Sequence, residues 1–379
     1  MKLFRVIAIT VVLFRFAEPT SCESPSDAPS RNYLVHILGL STATISPDER
    51  YLAALIKSDV GAEVQVWDFR SGNQLLAHAL PVPQGRPIGP QPPTYIRYTN
   101  DGQLLAVYLS GDMFFVLRAS DLSVVRTIRI KPDPNPTGLE TSPADHRVAI
   151  RISGEVRIYD LDSGGEIRSW SVSPDEQFEK WALDPHLHGA GIAWNDDGKT
   201  LAISVADNPP CLRGGGTIYV FDLLKEKATK SFRVKFLPSA VAFGSGNNLY
   251  IASNTCGGYF SHWTLDLPIV DVTSGRETGR IPAGKVGIRN YIAVSTNKQF
   301  LLAHADRQKT TLEGFEDTVK IEDAQWQVWN LAARKLVLVL PSALQGTNCS
   351  YDSLSNSGLY AYGSGKDDVC IFPLPPVTQ

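Results

Sequence analysis

From about residue 32 onward the chain reads as short runs of alternating apolar and polar residues, each broken by Asp, Asn, Gly, Pro or Ser. A period of two sends one side of an extended segment into a core and the other into water, so these runs predict β-strands. No long stretch carries the helical period, which excludes an α/β enzyme architecture.

The strands group into a repeat. An alanine after an apolar or aromatic residue recurs at Ala53, Ala106, Ala149, Ala202, Ala252, Ala303 and Ala361, at intervals of 53, 43, 53, 50, 51 and 58 residues. Ahead of each stands a turn-rich segment: Ser46–Arg50, Thr99–Gln103, Ser142–His146, Asn195–Lys199, Ser245–Asn248, Thr296–Gln299 and Ser355–Gly358. These residues supply the backbone angles of tight hairpins. A short strand precedes each turn, as at Thr42–Ile45. A second hairpin follows the alanine, then a β-rich run with a recurrent ending: Trp67-Asp68, Tyr159-Asp160, Phe221-Asp222, Val270-Asp271 and Trp329-Asn330. Fourth strands follow, as at Asn73–Leu80 and Arg276–Ile281. Four strands per unit with tight turns make the blade of a β-propeller. The small alanine is expected where neighbouring blades pack closely.

The seventh unit ends after its third strand, Asp368–Pro373, while an orphan strand, Asn32–Leu38, precedes the first unit. That strand is expected to complete blade seven and close the ring, which hides the open edges. The expectation is therefore an all-β fold: a single seven-bladed β-propeller over residues 32–375, with four antiparallel strands per blade and a tail at 376–379.

The repeated turns and Trp-Asp-like endings make residues 33–375 resemble the WD-repeat superfamily, bacterial YVTN-type propellers included. The Gly-His dipeptide of that superfamily is absent, and two endings depart from the pattern, Leu117-Arg118 and Phe372-Pro373. Exported propellers similar in fold include quinoprotein amine dehydrogenase heavy chains and lactonase-like proteins. No residue here matches the sites of those enzymes, so that likeness implies fold alone.

In a propeller the first-to-second and third-to-fourth connections share one face, and the second-to-third and blade-to-blade connections share the other. Here the first class is short and uniform. Nearly every insertion falls in the second: Pro81–Pro93, Lys131–Gly138 and Ser173–Gly189 between blades, and Ala206–Gly216, Asn254–Leu267 and His304–Gln325 within them. Variable loops on a rigid scaffold are where binding tends to sit, although such insertions cost little when they are mere decoration. The candidate binding residues of that face are Trp181, Arg213, Tyr259, Phe260, Trp263, Arg289 and Arg307, of the types that anchor interfaces. Each alternatively packs its own loop.

Charge narrows the partner. With 36 Lys and Arg against 39 Asp and Glu, a net charge of −3 and no basic cluster, the chain offers nothing for a phosphate backbone. A protein or peptide partner is expected, and a monomeric propeller.

Residues 1–21 read as a signal peptide: Lys2 and Arg5, then the apolar run Val6–Phe14, too short to span a bilayer. A buried first strand is the alternative. A polar tether, 22–31, follows. Cys22 resembles the lipidated cysteine of a bacterial lipoprotein, although Pro19 and a missing leucine depart from that pattern. The expected location is extracytoplasmic, secreted or periplasmic, with a lipid anchor at Cys22 as one form of it and no membrane span.

Cys211, Cys256, Cys349 and Cys370 lie in the body, without zinc-site spacing. In an exported chain they are disulfide candidates. Cys211 and Cys256 fall in corresponding loops of adjacent blades and are the candidate pair; two separate thiols are the alternative. Cys349 and Cys370 fall in the first and third strands of blade seven, with a strand between them, which disfavours their pairing.

The chain carries no strong catalytic signature. There is no phosphate loop, dinucleotide fingerprint or Gly-x-Ser-x-Gly elbow; Gly244–Gly246 and Gly363–Gly365 read as short turns. His186 and His188 beside Asp184 are weak metal candidates, more simply a solvated loop. Asp133, Asn135, Thr137 and Gly138 echo a calcium loop whose expected acidic last ligand is Ala144. No cofactor is expected. The leading expectation is a non-catalytic binding scaffold. The alternative is a propeller enzyme or enzyme subunit, quinoprotein dehydrogenase-like or lactonase-like, with its site at the central channel.

Overall fold

The computed structural model describes residues 32–58, 61–81, 95–109, 111–133, 138–152, 154–172, 191–206, 215–225, 228–254, 266–283, 287–313, 316–341, 343–344, 347–365 and 367–375. They form a β-propeller of seven blades, each a four-stranded antiparallel sheet.

The chain opens with β1 (Tyr33–His36). Blade one is β2 (Leu40–Ile45), β3 (Tyr51–Ser58), β4 (Gly61–Asp68) and β5 (Asn73–Ala79). Blade two is β6 (Tyr95–Tyr98), β7 (Leu104–Tyr108), β8 (Gly111–Arg118) and β9 (Val124–Asp133). Blade three is β10 (Gly138–Thr141), β11 (Arg147–Ile152), β12 (Glu155–Asp160) and β13 (Glu166–Ser171). Blade four is β14 (Ile192–Trp194), β15 (Thr200–Ala206), β16 (Gly216–Asp222) and β17 (Ala228–Val234). Blade five is β18 (Leu237–Phe243), β19 (Asn248–Asn254), β20 (Leu267–Asp271) and β21 (Arg276–Ile281). Blade six is β22 (Gly287–Val294), β23 (Phe300–Glu313), β24 (Glu316–Asn330) and β25 (Lys335–Leu340). After a short pair, β26 (Ala343–Leu344) and β27 (Thr347–Asn348), blade seven is β28 (Ser350–Leu354), β29 (Tyr360–Ser364) and β30 (Asp368–Pro373). Its fourth strand is β1, paired antiparallel with β30 from Tyr33–Ile371 to His36–Asp368, so the ring closes as expected.

The core is a series of apolar clusters, each drawn from two neighbouring blades. Leu55, Val64 and Val66 of blade one meet Ile96, Leu105 and Phe115 of blade two; Ala149 and Ile158 of blade three meet Leu201 and Ile203 of blade four. Burying one such side chain contributes about 1.5–3 kcal/mol.

The recurrent alanine is fully buried in every blade. Its register holds only through the first four. There Ala53, Ala106, Ala149 and Ala202 each sit one residue after the position opposite the third-strand ending, and each packs into the seam with the following blade. In blades five, six and seven that position is taken by Tyr250, Leu302 and Tyr362. Ala303 and Ala361 are displaced by one residue, which turns a strand residue to the other face, and both pack into the seam with the preceding blade.

The turns show why their residues recur. The side-chain oxygen of Ser46, Thr99, Ser295 or Ser355 accepts the N–H five residues on, at 3.0, 3.0, 3.1 and 3.0 Å, which locks the first-to-second hairpin. The Asp of the Trp-Asp-like ending caps the third-to-fourth turn: Asp68 accepts from Ser71, Asp160 from Ser163 and Asp271 from Ser274. These bonds hold all three carboxyls below the ordinary carboxylate range. In blade two, where Arg118 replaces that residue, Asp121 supplies the cap from inside the turn through Ser123. In blade seven no such turn exists, because β1 enters from elsewhere.

Three expectations are corrected. Cys349 and Cys370 form a disulfide, their Cα atoms 6.0 Å apart. The intervening strand does not keep them apart because it carries Gly363, in register with Tyr351 on one side and Cys370 on the other. A Cβ there would run into the Ser350 carbonyl and lie 2.5 Å from the Tyr351 Cα, so the backbone of β28 leans across the space a side chain would need. Gly363 is thus a mid-strand residue, not a turn. The insertion His304–Gln325 is not an irregular loop: β23 and β24 continue through it as one antiparallel hairpin, paired to Glu313–Glu316.

Candidate functional site

Most residues of the long connections that the sequence assigns to one face lie outside the described residues. Trp181, Arg213, Tyr259, Phe260, Trp263, His186 and His188 are among these, as are Cys211 and Cys256. Arg289 and Arg307 are placed by backbone register. Arg289 in β22 pairs in parallel with Ser253 in β19, which sets it beside the root of the blade-five insertion. Arg307 stands opposite Glu322 in the extended hairpin of blade six.

The described residues build a second feature, the central channel where it opens on the short-turn face. The first strands of all seven blades, and the first turns of all but blade five, line a cavity of about 250 Å³ there. Its walls are mostly polar. Arg97 of β6 and Glu140 of β10 face it from adjacent blades; burial pushes the Glu140 carboxyl up and the Arg97 charge opposes that rise. Trp194 Nε1 donates to the Glu140 carbonyl at 3.1 Å, and Thr141 Oγ1 to the Tyr98 carbonyl at 3.1 Å. Burial pushes the Tyr95 phenol up to about 12 and also raises that of Tyr98, which lines the cavity. Among the described residues no three His, Cys, Asp or Glu side chains group as a metal site. None of these channel residues stands out in the sequence; only the seven-fold recurrence of the first strand foretells where they converge.

The mouth of this channel is belted by contacts between turns. Asn100 Nδ2 donates to the Pro143 carbonyl at 2.8 Å, and Thr296 Oγ1 to Asn356 Oδ1 at 3.0 Å. Lys298 reaches Asp196 of blade four at 2.9 Å and the Phe243 carbonyl of blade five at 3.2 Å. Glu49 accepts from the Ser357 amide at 2.7 Å and hydroxyl at 2.6 Å. Glu49 and Lys298 have φ of 56° and 58°, where the equivalent positions of blades two, four and seven carry Gly102, Gly198 and Gly358. The left-handed backbone costs about 1 kcal/mol without glycine, and it is tolerated at the two turns whose side chain reaches a neighbouring blade. Glu49→Ala, which keeps the strain and loses two bonds, should destabilise by about 2 kcal/mol. Glu49→Gly should recover about 1 kcal/mol of that loss; urea denaturation of both variants tests the order.

His146 ties blade two to blade three. Its ring nitrogens lie 2.7 Å from Asp101 and 2.9 Å from Asp162. Burial lowers its pKa, but the two carboxylates outweigh burial and the net shift is upward. A raised histidine pKa gives stability that is complete below its unfolded value and is lost as pH rises through the folded one. The stability difference between wild type and His146→Gln should therefore be largest near about pH 5.5, at about 0.5–1 kcal/mol for so exposed a pair, and shrink above neutrality. A difference that is flat across that range would sink the assignment.

No known family and no curated protein sequence matches the chain. Solved structures do. A chain of the crystal structure of the mitotic checkpoint complex superposes with a TM-score of 0.60 at 16% identity, covering 98% of this chain and 99% of that one. The Cps50 (Swd1) β-propeller domain of Myceliophteria thermophila gives 0.58 at 13% identity, covering 89% and 97%. The shared property is the fold, a β-propeller. No helix among the described residues is long and apolar enough to cross a membrane.

Proposed function

We propose that the chain is an exported, non-catalytic scaffold, a WD-repeat-like propeller of YVTN type, which presents its loop-rich face to a protein or peptide partner. The observation that carries this reading is the asymmetry of the ring. The first turns are short, capped and bonded to one another, while the sequence puts nearly every insertion in the connections expected on the opposite face. A rigid ring with variable loops on one side is the arrangement of a binding surface. Both structural neighbours share that frame, and one of them is a chain of the mitotic checkpoint complex. The enzyme alternative is not favoured, since its likeness to propeller enzymes is one of fold alone, with no residue of the sequence matched to their sites.

The Cys349–Cys370 disulfide supports export, because such bonds persist in oxidising compartments. Removal of residues 1–21 and a tether or lipid anchor at Cys22 belong to the same reading, as does a monomeric ring. The mass of the amino-terminal peptide from the native host decides the cleavage and the lipid. For the binding face, the mature protein and a Tyr259→Ala, Phe260→Ala, Trp263→Ala variant are used to capture partners from the host envelope fraction. The expected result is a partner retained by the wild type and lost by the folded variant. Equal retention by both would remove the loop face from consideration.

A further inference from the structure

Each seam between blades poses the same packing problem, so the seams can be compared position by position. Between blades two and three, Arg126 of β9 lies over Gly164 and donates to the carbonyl of Asp162 in the third-to-fourth turn of blade three. Between blades four and five, Lys230 of β17 lies over Gly275 and donates to the carbonyl of Thr273, the same turn position. Between blades five and six a cation arrives from the other side, the Arg334 guanidinium against Gly279. In these seams an aliphatic stem covers the apolar wall and its charged end stays at the surface.

The seam between blades one and two is not closed in this way. The ladder puts Leu76 of β5 where β9 has Arg126 and β17 has Lys230: the three stand opposite Val66, Val116 and Val220. The carbonyl matching those of Asp162 and Thr273 is that of Ser120, and no described residue donates to it. What remains is a cleft of about 700 Å³. Leu76, Val66, Tyr98 and Leu104 line it, Leu75 stands 49% exposed at its edge, and the carboxylates of Asp48 and Asp101 are on its rim. Arg118, also in the lining, is turned onto Asp121 at 3.3 Å and Ser123 at 2.9 Å.

We propose that this cleft binds an arginine or lysine side chain presented by an extended segment of a partner protein. The ligand class is read from the molecule itself: the cleft lacks the long cation that three of its sister seams supply from within, although blade six also has a leucine, Leu338, at the ladder position of Leu76. The incoming stem lies on Leu76 and Tyr98, and the cation donates to the Ser120 carbonyl and faces Asp48, with Asp101 beside it already paired with His146. The cleft is lined by the short turns Ser46–Asp48, Asp101–Gln103 and Arg118–Ser120 and by none of the candidate residues of the loop face, so this site and the loop-face reading stand or fall separately.

The test uses the full propeller with carbon-13 leucine methyls, titrated with N-acetyl-arginine amide and, as neutral isostere, N-acetyl-citrulline amide. The arginine probe is expected to shift the methyls of Leu75, Leu76 and Leu104 saturably in the millimolar range. The citrulline probe should bind roughly tenfold or more weakly, for want of the charge-assisted bonds. Leu76→Arg plugs the cleft as Arg126 plugs its own seam, and should abolish binding at unchanged melting temperature. Asp48→Asn, which keeps its turn bonds, should weaken binding several-fold and serves if the arginine variant does not fold. No shift at the cleft, equal binding of the two probes, or undiminished binding by either folded variant would overturn the proposal.

Discussion

Val35→Asp is expected to destabilise the propeller by about 3–5 kcal/mol, and removal of residues 32–38 to abolish its cooperative unfolding. Val35 and Ile37 are 4% and 2% exposed and pack with Phe69, Tyr360 and Ile371 in the seam of blades seven and one. A carboxylate at position 35 would be buried without a partner, and burying an unpaired charge is among the most costly of single changes. Deletion does more. It bares the backbone edge of β30 along four residue pairs and removes the carbonyl of Ile37, which accepts from Leu40 at the start of blade one. In a closed ring every blade leans on two others, so a missing strand opens two seams, not one. Calorimetry of Val35→Asp should show the melting temperature lowered by about 4–7 °C. A deletion variant that melts like the intact chain would mean that β1 is an ornament of blade seven and not its closure.

The ring is legible in the sequence because it is made of local chemistry. Ser46 and its equivalents bond to their own turn, Asp68 and its equivalents cap the next, and both leave a mark in any sequence read for repeats. The closing strand is legible for the same reason, as an unpaired fourth strand at one end and a vacancy for it at the other. The alanine register is legible only in part. In blades five to seven large residues, Tyr250, Leu302 and Tyr362, fill the seam position, and the recurrent alanine is a neighbour one or two residues away. A one-residue shift reverses the face of a strand but hardly changes its composition, so pattern alone does not detect it.

The site is less legible, since it is made between blades. Arg97 and Glu140 are separated by 43 residues, as Asn100 and Pro143 are, and only closure brings each pair together at the channel. Asp101, His146 and Asp162 look like ordinary turn residues until blades two and three are side by side. The cleft beside Leu76 is harder still, because its signal is a substitution that means something only when the seams are superposed. The extended hairpin of blade six reads as a loop in the sequence because its polar residues hide a ladder that runs on to Glu313.

Breaking the Cys349–Cys370 bond, with both residues changed to Ala, is expected to cost about 3 kcal/mol. The bond closes a segment of sequence separation 21, and the loop-closure entropy it removes from the unfolded chain is of that size. Both cysteines are buried, at 7% and 0% exposure, among Leu302, Val328, Leu340 and Tyr351, so reductant should reach them only after unfolding. Wild type unfolded and refolded under reducing conditions should then match the alanine pair to within about 1 kcal/mol. Serine at these sites should be worse than alanine, since a buried hydroxyl without a partner adds its own penalty. Gly363→Ala separates the bridge from its cause. Its Cβ would displace the Ser350–Tyr351 backbone, costing about 3 kcal/mol or more, and would push Cys349 away from Cys370. If the glycine is what lets the bridge cross the middle strand, Gly363→Ala and the alanine pair must be non-additive, because the displaced strand has already lost the bond. Additive losses in that double-mutant cycle, measured by urea denaturation, would show that the disulfide tolerates a side chain between its strands and that Gly363 serves only the packing of β28.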